Sequence, residues 1–329
     1  MAAAKREGKV VVAGGPGNIY RDAALAFQKA FPDIQIEFTG ASGRDFGPKV
    51  LAERGGGQYL WDVYLGGATT GLTVLRPEGA LDPLRPVLLL PDVLDSSKWL
   101  GGFEDPWMDK ERRWAFAFEG RLMPVAYVDR AVVPESELST IDQLLDPKWK
   151  GKIISGDYST TGSASAQGQH LLIDKGEAWF RKFLAQDLVL NKDERLVVEA
   201  LVRGRYPIAT GVSSSEFGTF QREGLGATVK VLDPDSASGG ILTGGFGMAM
   251  LMNRAPHPNA AKVYINWLLS QEGQKAYVAA TSLNSRRLDV TGPAETAPKP
   301  TVKYRDVNKE EFLSYKQQSL DIAKQELNK

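Results

Sequence analysis

Lys152-Ile-Ile-Ser-Gly-Asp-Tyr-Ser-Thr-Thr-Gly-Ser-Ala-Ser-Ala-Gln167 is the stretch from which the fold is read. Ile153 and Ile154 form the buried end of a strand. Gly156 and Asp157 turn the chain. Ser159, Thr160, Thr161, Gly162 and Ser163 follow, and Ala164, Ala166, Leu171 and Leu172 open a helix. A strand that runs through such a turn into a helix leaves free backbone N–H groups at the positive end of the helix dipole. Hydroxyls beside those groups make a seat for a carboxylate, a phosphate or a similar polar group. A single hydroxyl would be explained by capping alone. Here Ser159, Thr160, Thr161 and Ser163 exceed what one cap needs, so capping and binding both stay open.

The same unit recurs upstream. Lys9 to Ala13 is a short apolar strand broken by Gly14-Gly-Pro-Gly17, and Ala23, Ala24, Phe27, Ala30 and Phe31 recur at helical spacing from about Tyr20. Ile34 to Phe38 alternates as a second strand and runs into Thr39-Gly-Ala-Ser-Gly-Arg44, with a helix expected over 46–53. Asp62 to Leu65 is a third strand, ending in Gly66-Gly-Ala-Thr-Thr-Gly71, and a helix starts at Leu72. Strands alternating with helices imply a parallel sheet, whose ligands sit beyond the carboxyl ends of the strands. Further on, Tyr206 to Thr210 is a strand that ends in Gly211-Val-Ser-Ser-Ser215. The candidate ligand-binding residues are therefore Gly15, Asn18, Ser42, Arg44, Gly67, Thr69 and Thr70 in the first part. In the second part they are Ser159, Thr160, Thr161, Gly162, Ser163, Ser213, Ser214 and Ser215.

Between these parts, Gly79 to Pro91 reads as Pro- and Leu-rich surface structure. Trp114 to Phe118 is a strand that resumes over Met123 to Val128, and Phe246 to Leu251 is a later strand. These two crossings divide the chain into a discontinuous first lobe, 9–119 with 247–329, and a second lobe, 120–246, with hinges near 119–128 and 240–250. Arg121 interrupts the first crossing. A bidentate guanidinium there suits a carboxylate or phosphate; the competing reading is a solvated arginine at a strand break. Helices are expected near 178–184, 194–202, 259–269 and 310–327, the third with Ala260, Val263, Tyr264, Trp267 and Leu268 on one face.

The totals narrow the function. A chain of 329 residues is long enough for two domains. Lys plus Arg and Asp plus Glu are equal at 40 each, which gives no reason to expect nucleic acid as a partner. No cysteine is present, so disulfides and thiolate chemistry are excluded. Neither phosphate-loop, dinucleotide nor nucleophile-elbow spacing occurs, no metal-ligand spacing is found, and only His170 and His257 could serve as bases. No cofactor, metal or catalytic residue is expected. An enzyme using the cleft between the lobes is the rival reading, with Glu216 and Asp157 as its acids. The start, Met1-Ala-Ala-Ala-Lys-Arg-Glu-Gly8, lacks the apolar core of a signal peptide.

His257-Pro-Asn-Ala-Ala-Lys-Val-Tyr-Ile-Asn-Trp-Leu-Leu-Ser-Gln-Glu-Gly-Gln-Lys275 resembles a segment near the end of bacterial extracellular solute-binding proteins, with Gln271 where that family usually has Pro. Asp142 to Leu145, followed by Asp146-Pro-Lys-Trp-Lys-Gly-Lys152, resembles another of its segments. The resemblance runs from about Val10 to Val290 and is nearest to the ferric-iron, thiamine and phosphonate branch. It implies an α/β, two-lobed, type II periplasmic binding fold, with a mostly parallel sheet in each lobe. It also implies a periplasmic receptor that holds its solute between its lobes and hands it to the membrane permease of an ABC importer. The hydroxyl-rich turns and Arg121 point to a small polar, anionic solute captured by hinge closure, and a monomer is expected. The iron-binding members carry two adjacent tyrosines where this chain has Ser214 and Ser215, which speaks against ferric iron. A ferric-iron or amine ligand stays as the alternative.

Overall fold

Thirteen strands build the sheets among the described residues. In chain order they are β1 Lys9–Gly14, β2 Gln35–Gly40, β3 Val63–Leu65, β4 Leu81–Asp82, β5 Phe116–Ala117, β6 Arg121–Pro124, β7 Ala126–Asp129, β8 Ile153–Gly156, β9 Val189–Asn191, β10 Ile208–Thr210, β11 Val229–Val231, β12 Gly240–Thr243 and β13 Met248–Met252. The computed structural model describes residues 1–327, the side chains of Ser215 and Glu295 excepted, and they fall into two units. One holds residues 1–121, 243–300 and 308–311; the other holds 122–242, 301–307 and 312–327.

The first unit is built on a sheet of order β2-β1-β3-β13-β4, with β5 also on β13. β1 pairs in parallel with β2 and β3, in the register Val10 with Ile36 and Val12 with Val63. β13 then enters antiparallel to β3, β4 and β5. Val10, Val12, Ile36 and Val63 are buried. The helix Asn18–Ala30 follows β1 and buries Ala23, Ala24 and Phe27, the three apolar positions on its inner face. Phe27 meets Tyr264 and Trp267 edge-on at 5.1 and 5.4 Å. Each such fully buried side chain contributes about 1.5–3 kcal/mol. The helices Pro258–Leu269 and Gln271–Thr281 complete this layer.

The second unit has the order β11-β7-β10-β8-β9. β10, β8 and β9 run parallel, whereas β7 lies antiparallel to β10 and to β11. Helices Ser163–Lys175, Glu177–Leu184 and Glu194–Val202 cover it, burying Leu171, Phe180, Phe183, Val197, Val198 and Leu201. β6 and β12 form a separate two-stranded sheet where the chain passes from one unit to the other and back.

Four expectations are corrected. Both sheets are mixed rather than mostly parallel. β7, with which the chain enters the sheet of the second unit, and β13, with which it returns to that of the first, pair antiparallel with all their neighbours. The C-terminal segment does not stay with the first unit: the helix Tyr315–Leu327 buries Leu320, Ile322 and Ala323 in the second, where the last two join the core with Leu171 and Phe180. The unit changes fall after Arg121 and before Thr243 rather than at 119–120 and 246–247. The stretch 79–91 is not all surface, because Ala80, Leu81, Leu84 and Leu88 are buried and Leu81–Asp82 pairs with β13.

Candidate functional site

In the second unit, β8 and β10 are parallel neighbours, so the turns that follow them emerge side by side. Their approach needs glycine. A Cβ on Gly156 would stand 2.3 Å from the carbonyl oxygen of Gly211, and a Cβ on Gly211 would stand 2.7 Å from the nitrogen of Gly156. Gly211 also has φ +70°, which L side chains rarely adopt. Gln167, fully buried, ties the same place together. Its amide donates to Pro124 O at 2.8 Å and Val212 O at 3.2 Å, while its oxygen accepts from Gly211 N at 2.7 Å and the Tyr158 hydroxyl at 3.3 Å.

The hydroxyls of these turns divide into two groups. Ser159 donates its hydroxyl and its N–H to Asp157 Oδ1 at 2.6 and 2.9 Å, and Thr160 donates its hydroxyl to Asp157 O at 3.0 Å. Ser213 caps the helix Ser214–Arg222 by accepting Glu216 N at 3.3 Å. For these residues the local structural role prevails. Thr161 and Ser163 make no side-chain hydrogen bond among the described residues, and the helix that begins at Ser163 has Gly162 at its N-cap with no side-chain cap. Ser214 opens the next helix, half-buried; the side chain of Ser215 lies outside the described residues. Asp157 is engaged by Ser159, and Glu216 faces Arg195 at 3.8 Å, so neither stands free as a catalytic acid.

In the first unit, the carboxyl ends of β1, β2 and β3 share one edge, and their turns converge there. Ala41 N donates to Gly14 O at 2.9 Å, and a Cβ on Gly40 would meet Pro16 Cα at 3.1 Å. A Cβ on Gly43 would stand 2.2 Å from the Thr70 hydroxyl oxygen. Ser42 is consumed as a cap, its hydroxyl donating to Asp45 Oδ2 at 2.6 Å. Gly15 is a packing residue, since a Cβ there would run into the rings of Phe246 and Tyr20 at 2.7 and 2.8 Å. Asn18, Arg44 and Thr69 are exposed, and Gly67 and Thr70 are half-buried.

Arg121 begins β6 at this unit's boundary. Sequence reasoning singled it out but missed its partner. Glu119, with no exposed surface, places Oε1 3.1 Å from Arg121 Nε. The pair is ionic without hydrogen-bond geometry, for both atoms lack a hydrogen bond. The other carboxylate oxygen accepts the Tyr277 hydroxyl at 2.7 Å. Burial pushes the Glu119 carboxyl up to about 7, against the charge of Arg121 and the Tyr277 hydrogen bond, which pull it down. Tyr20, whose ring lies edge-on to Phe246 at 5.4 Å, is pushed up to about 12 by burial and by Glu119. The terminal nitrogens of Arg121 make no hydrogen bond among the described residues. The local pattern does not mark Glu119 as buried, because the alternation of Phe116 and Phe118 puts it on the opposite face.

No group of three or more His, Cys, Asp or Glu residues fit to hold a metal ion occurs among the described residues, and no helix is long and apolar enough to cross a membrane. A family model for bacterial extracellular solute-binding proteins matches residues 22–303. The chain is 24% identical over 271 residues to a probable ABC transporter periplasmic-binding protein, y4fP, of Sinorhizobium fredii, covering 79% of this chain and 69% of that protein. Among solved structures, iron-bound HitA from Pseudomonas aeruginosa aligns with a TM-score of 0.64 at 18% identity, over 94% of this chain and 99% of that one. AfuA from Actinobacillus pleuropneumoniae, with exogenous fructose-6-phosphate bound, aligns with a TM-score of 0.61 at 17% identity, over 98% and 99%.

Proposed function

Because this chain belongs to the bacterial extracellular solute-binding protein family, we propose that the solute it captures for an ABC importer is a small organic anion of the carboxylate or phosphonate type. Its α/β architecture is the type II periplasmic binding fold. It is a binding protein, not an enzyme, and its partners are a small molecule and a membrane permease.

The observation that carries the anionic reading is Arg121. Its guanidinium is held from behind by the buried Glu119, its side chain is 24% exposed, and its terminal nitrogens are uncommitted. A planar fork in that state suits a two-oxygen acceptor. The helix start at Ser163, where Ser165 Oγ takes up the N–H of Gly162 at 3.0 Å but Thr161 and Ser163 stay unbonded, offers donors of the same preference in the second unit. Recognition is by hydrogen bonds and charge, with no covalent step.

Sugar phosphate, bound in the AfuA structure, is an anion of this kind, whereas HitA holds iron. Iron is disfavoured here. A hard trivalent cation takes phenolates, and Ser214 and Ser215 stand where the iron-binding pattern has its two adjacent tyrosines.

Calorimetric titration with small carboxylates, phosphonates and sugar phosphates tests the reading. A charged hydrogen bond is worth roughly 1.5–3 kcal/mol, so Arg121→Met and Thr161→Val should each weaken the tightest binder about 10- to 150-fold while the fold is kept. Unchanged affinity in both variants would remove this site.

A further inference from the structure

Glu119 has no exposed surface, yet its carboxylate backs the one cation on which the anionic reading rests, and that cation reaches solvent. Every element around it contributes a group. Tyr277 comes from the helix Gln271–Thr281, and Tyr20 from the helix Asn18–Ala30. Arg286, from the segment after Gln271–Thr281, donates Nε to the Glu119 carbonyl at 2.9 Å, and Ser285 bridges to the Glu119 main chain. The loop before β13 closes the fourth side, where a Cβ on Gly247 would lie 2.2 Å from that of Glu119.

This carboxylate is held mainly by charge. Only one of its oxygens accepts a hydrogen bond, and the Arg121 contact lacks hydrogen-bond geometry. An anion seated on the outer nitrogens of Arg121 would draw on the same positive charge and bring a second negative charge close to the first. Like charges in a desolvated place favour protonation of the weaker acid. The alternatives for relief are closed, since arginine stays protonated and Tyr277 is held well above its ordinary range by burial and by Glu119 itself.

We propose that Glu119 takes up one proton from water as the solute anion docks on Arg121, so that capture of the anion and protonation of Glu119 are a single coupled event. The inference rests on the anionic reading above. The carboxylate becomes a carboxylic acid and no other bond changes; with a monoanion seated the cluster is neutral, as the empty Arg121–Glu119 pair was, and with a dianion the proton cancels one of its two charges. Because the unliganded carboxyl already lies at about 7, the coupling operates at and above neutral pH and vanishes in acid, where Glu119 carries its proton in both states.

The probes are sulfate, succinate and pyruvate, which do not titrate between pH 7 and 9, and the tightest is carried forward. Titrating it into the wild-type protein at pH 7.5 in HEPES and in Tris should give enthalpies that differ with the ionisation heat of the buffer, corresponding to uptake of about half a proton or more per anion. Affinity should fall by up to about tenfold per pH unit between pH 7 and 9. Glu119→Gln should bind with buffer-independent heat and a flat pH profile, which a merely structural role would not produce. Wild-type heats that do not depend on buffer, with binding intact, would overturn the coupling and leave the anionic reading standing. Absence of binding by all three probes, or unchanged affinity in Arg121→Met, would overturn the anionic reading and the coupling with it. If Glu119→Gln does not fold, the two-buffer comparison on the wild type decides alone.

Discussion

The side-chain oxygen of Gln167 accepts the backbone N–H of Gly211 at 2.7 Å, joining the first helix of the second unit to the turn after β10. One buried amide thereby sets the spacing of two turns that carry candidate ligand contacts. Its nitrogen is equally engaged, so the group has no slack.

Gln167→Leu should therefore be costly. It keeps the volume but leaves Gly211 N, Pro124 O and Val212 O without their partner in a dry place. Each such group costs about 1–3 kcal/mol, so a loss on the order of 3 kcal/mol is expected after relaxation. Urea unfolding followed by tryptophan fluorescence measures it; a loss under about 1 kcal/mol would refute the role.

Gly211→Ala should also destabilise the second unit. The residue has φ +70°, and the added Cβ would press on the Gly156 backbone, which cannot swing aside like a flexible side chain. The left-handed conformation alone costs roughly 1–2 kcal/mol in a non-glycine residue, and the clash adds to it. A melting-temperature drop of several degrees is expected, whereas Gly204→Ala, also at positive φ but with open space around its Cβ, should lose less.

His170 gives a pH dependence with a definite sign. It is fully buried, with Nε2 3.3 Å from Ser238 O and Nδ1 unpaired, and burial lowers it from 6.5 to about 4. The fold thus prefers the neutral ring. That contribution is whole above pH 6.5 and is lost as pH falls from 6.5 towards 4, by on the order of 3 kcal/mol. Glu119, raised to about 7, works in the opposite sense over much of this range, so the measurement is the difference between wild type and His170→Gln. Wild type should lose stability relative to the variant as the solution is acidified; parallel curves would refute the assignment.

Ferric iron should not be retained. The sequence resemblance sets Ser214 and Ser215 at the two positions where the iron-binding pattern has tyrosines. Titration of the protein with ferric citrate should give no visible charge-transfer band and no iron after gel filtration. A strong band with metal retained would reverse the choice of ligand.

Much of the architecture is written in local pattern. The helix Glu194–Val202 lies where its apolar spacing puts it, β1 to β3 follow the strand patterns to within a residue or two, and the turns at 14–17, 39–44, 66–71, 157–163 and 211–215 are where glycine and hydroxyl residues cluster. Periodicity and turn chemistry act over a few residues, so a chain read in order reveals them. The family segment from His257 to Lys275 is legible for the same reason. Arg121 also stands out in one dimension, as a charge breaking an apolar run.

What only the tertiary structure decided is how each polar group is spent. Ser42 and Ser213 became caps, Ser159 and Thr160 closed on Asp157, and Thr161 and Ser163 remained unbonded; the turns that carry them look alike in sequence. Glu119 is an ordinary acidic residue until Tyr277, from 158 positions away, and the glycines before β13 enclose it. The same holds for the C-terminal helix, whose amphipathic pattern says that it packs but not on which unit. Burial and pairing depend on residues far apart in the chain, and local pattern carries no record of which distant group will take up a donor or leave a charge without water.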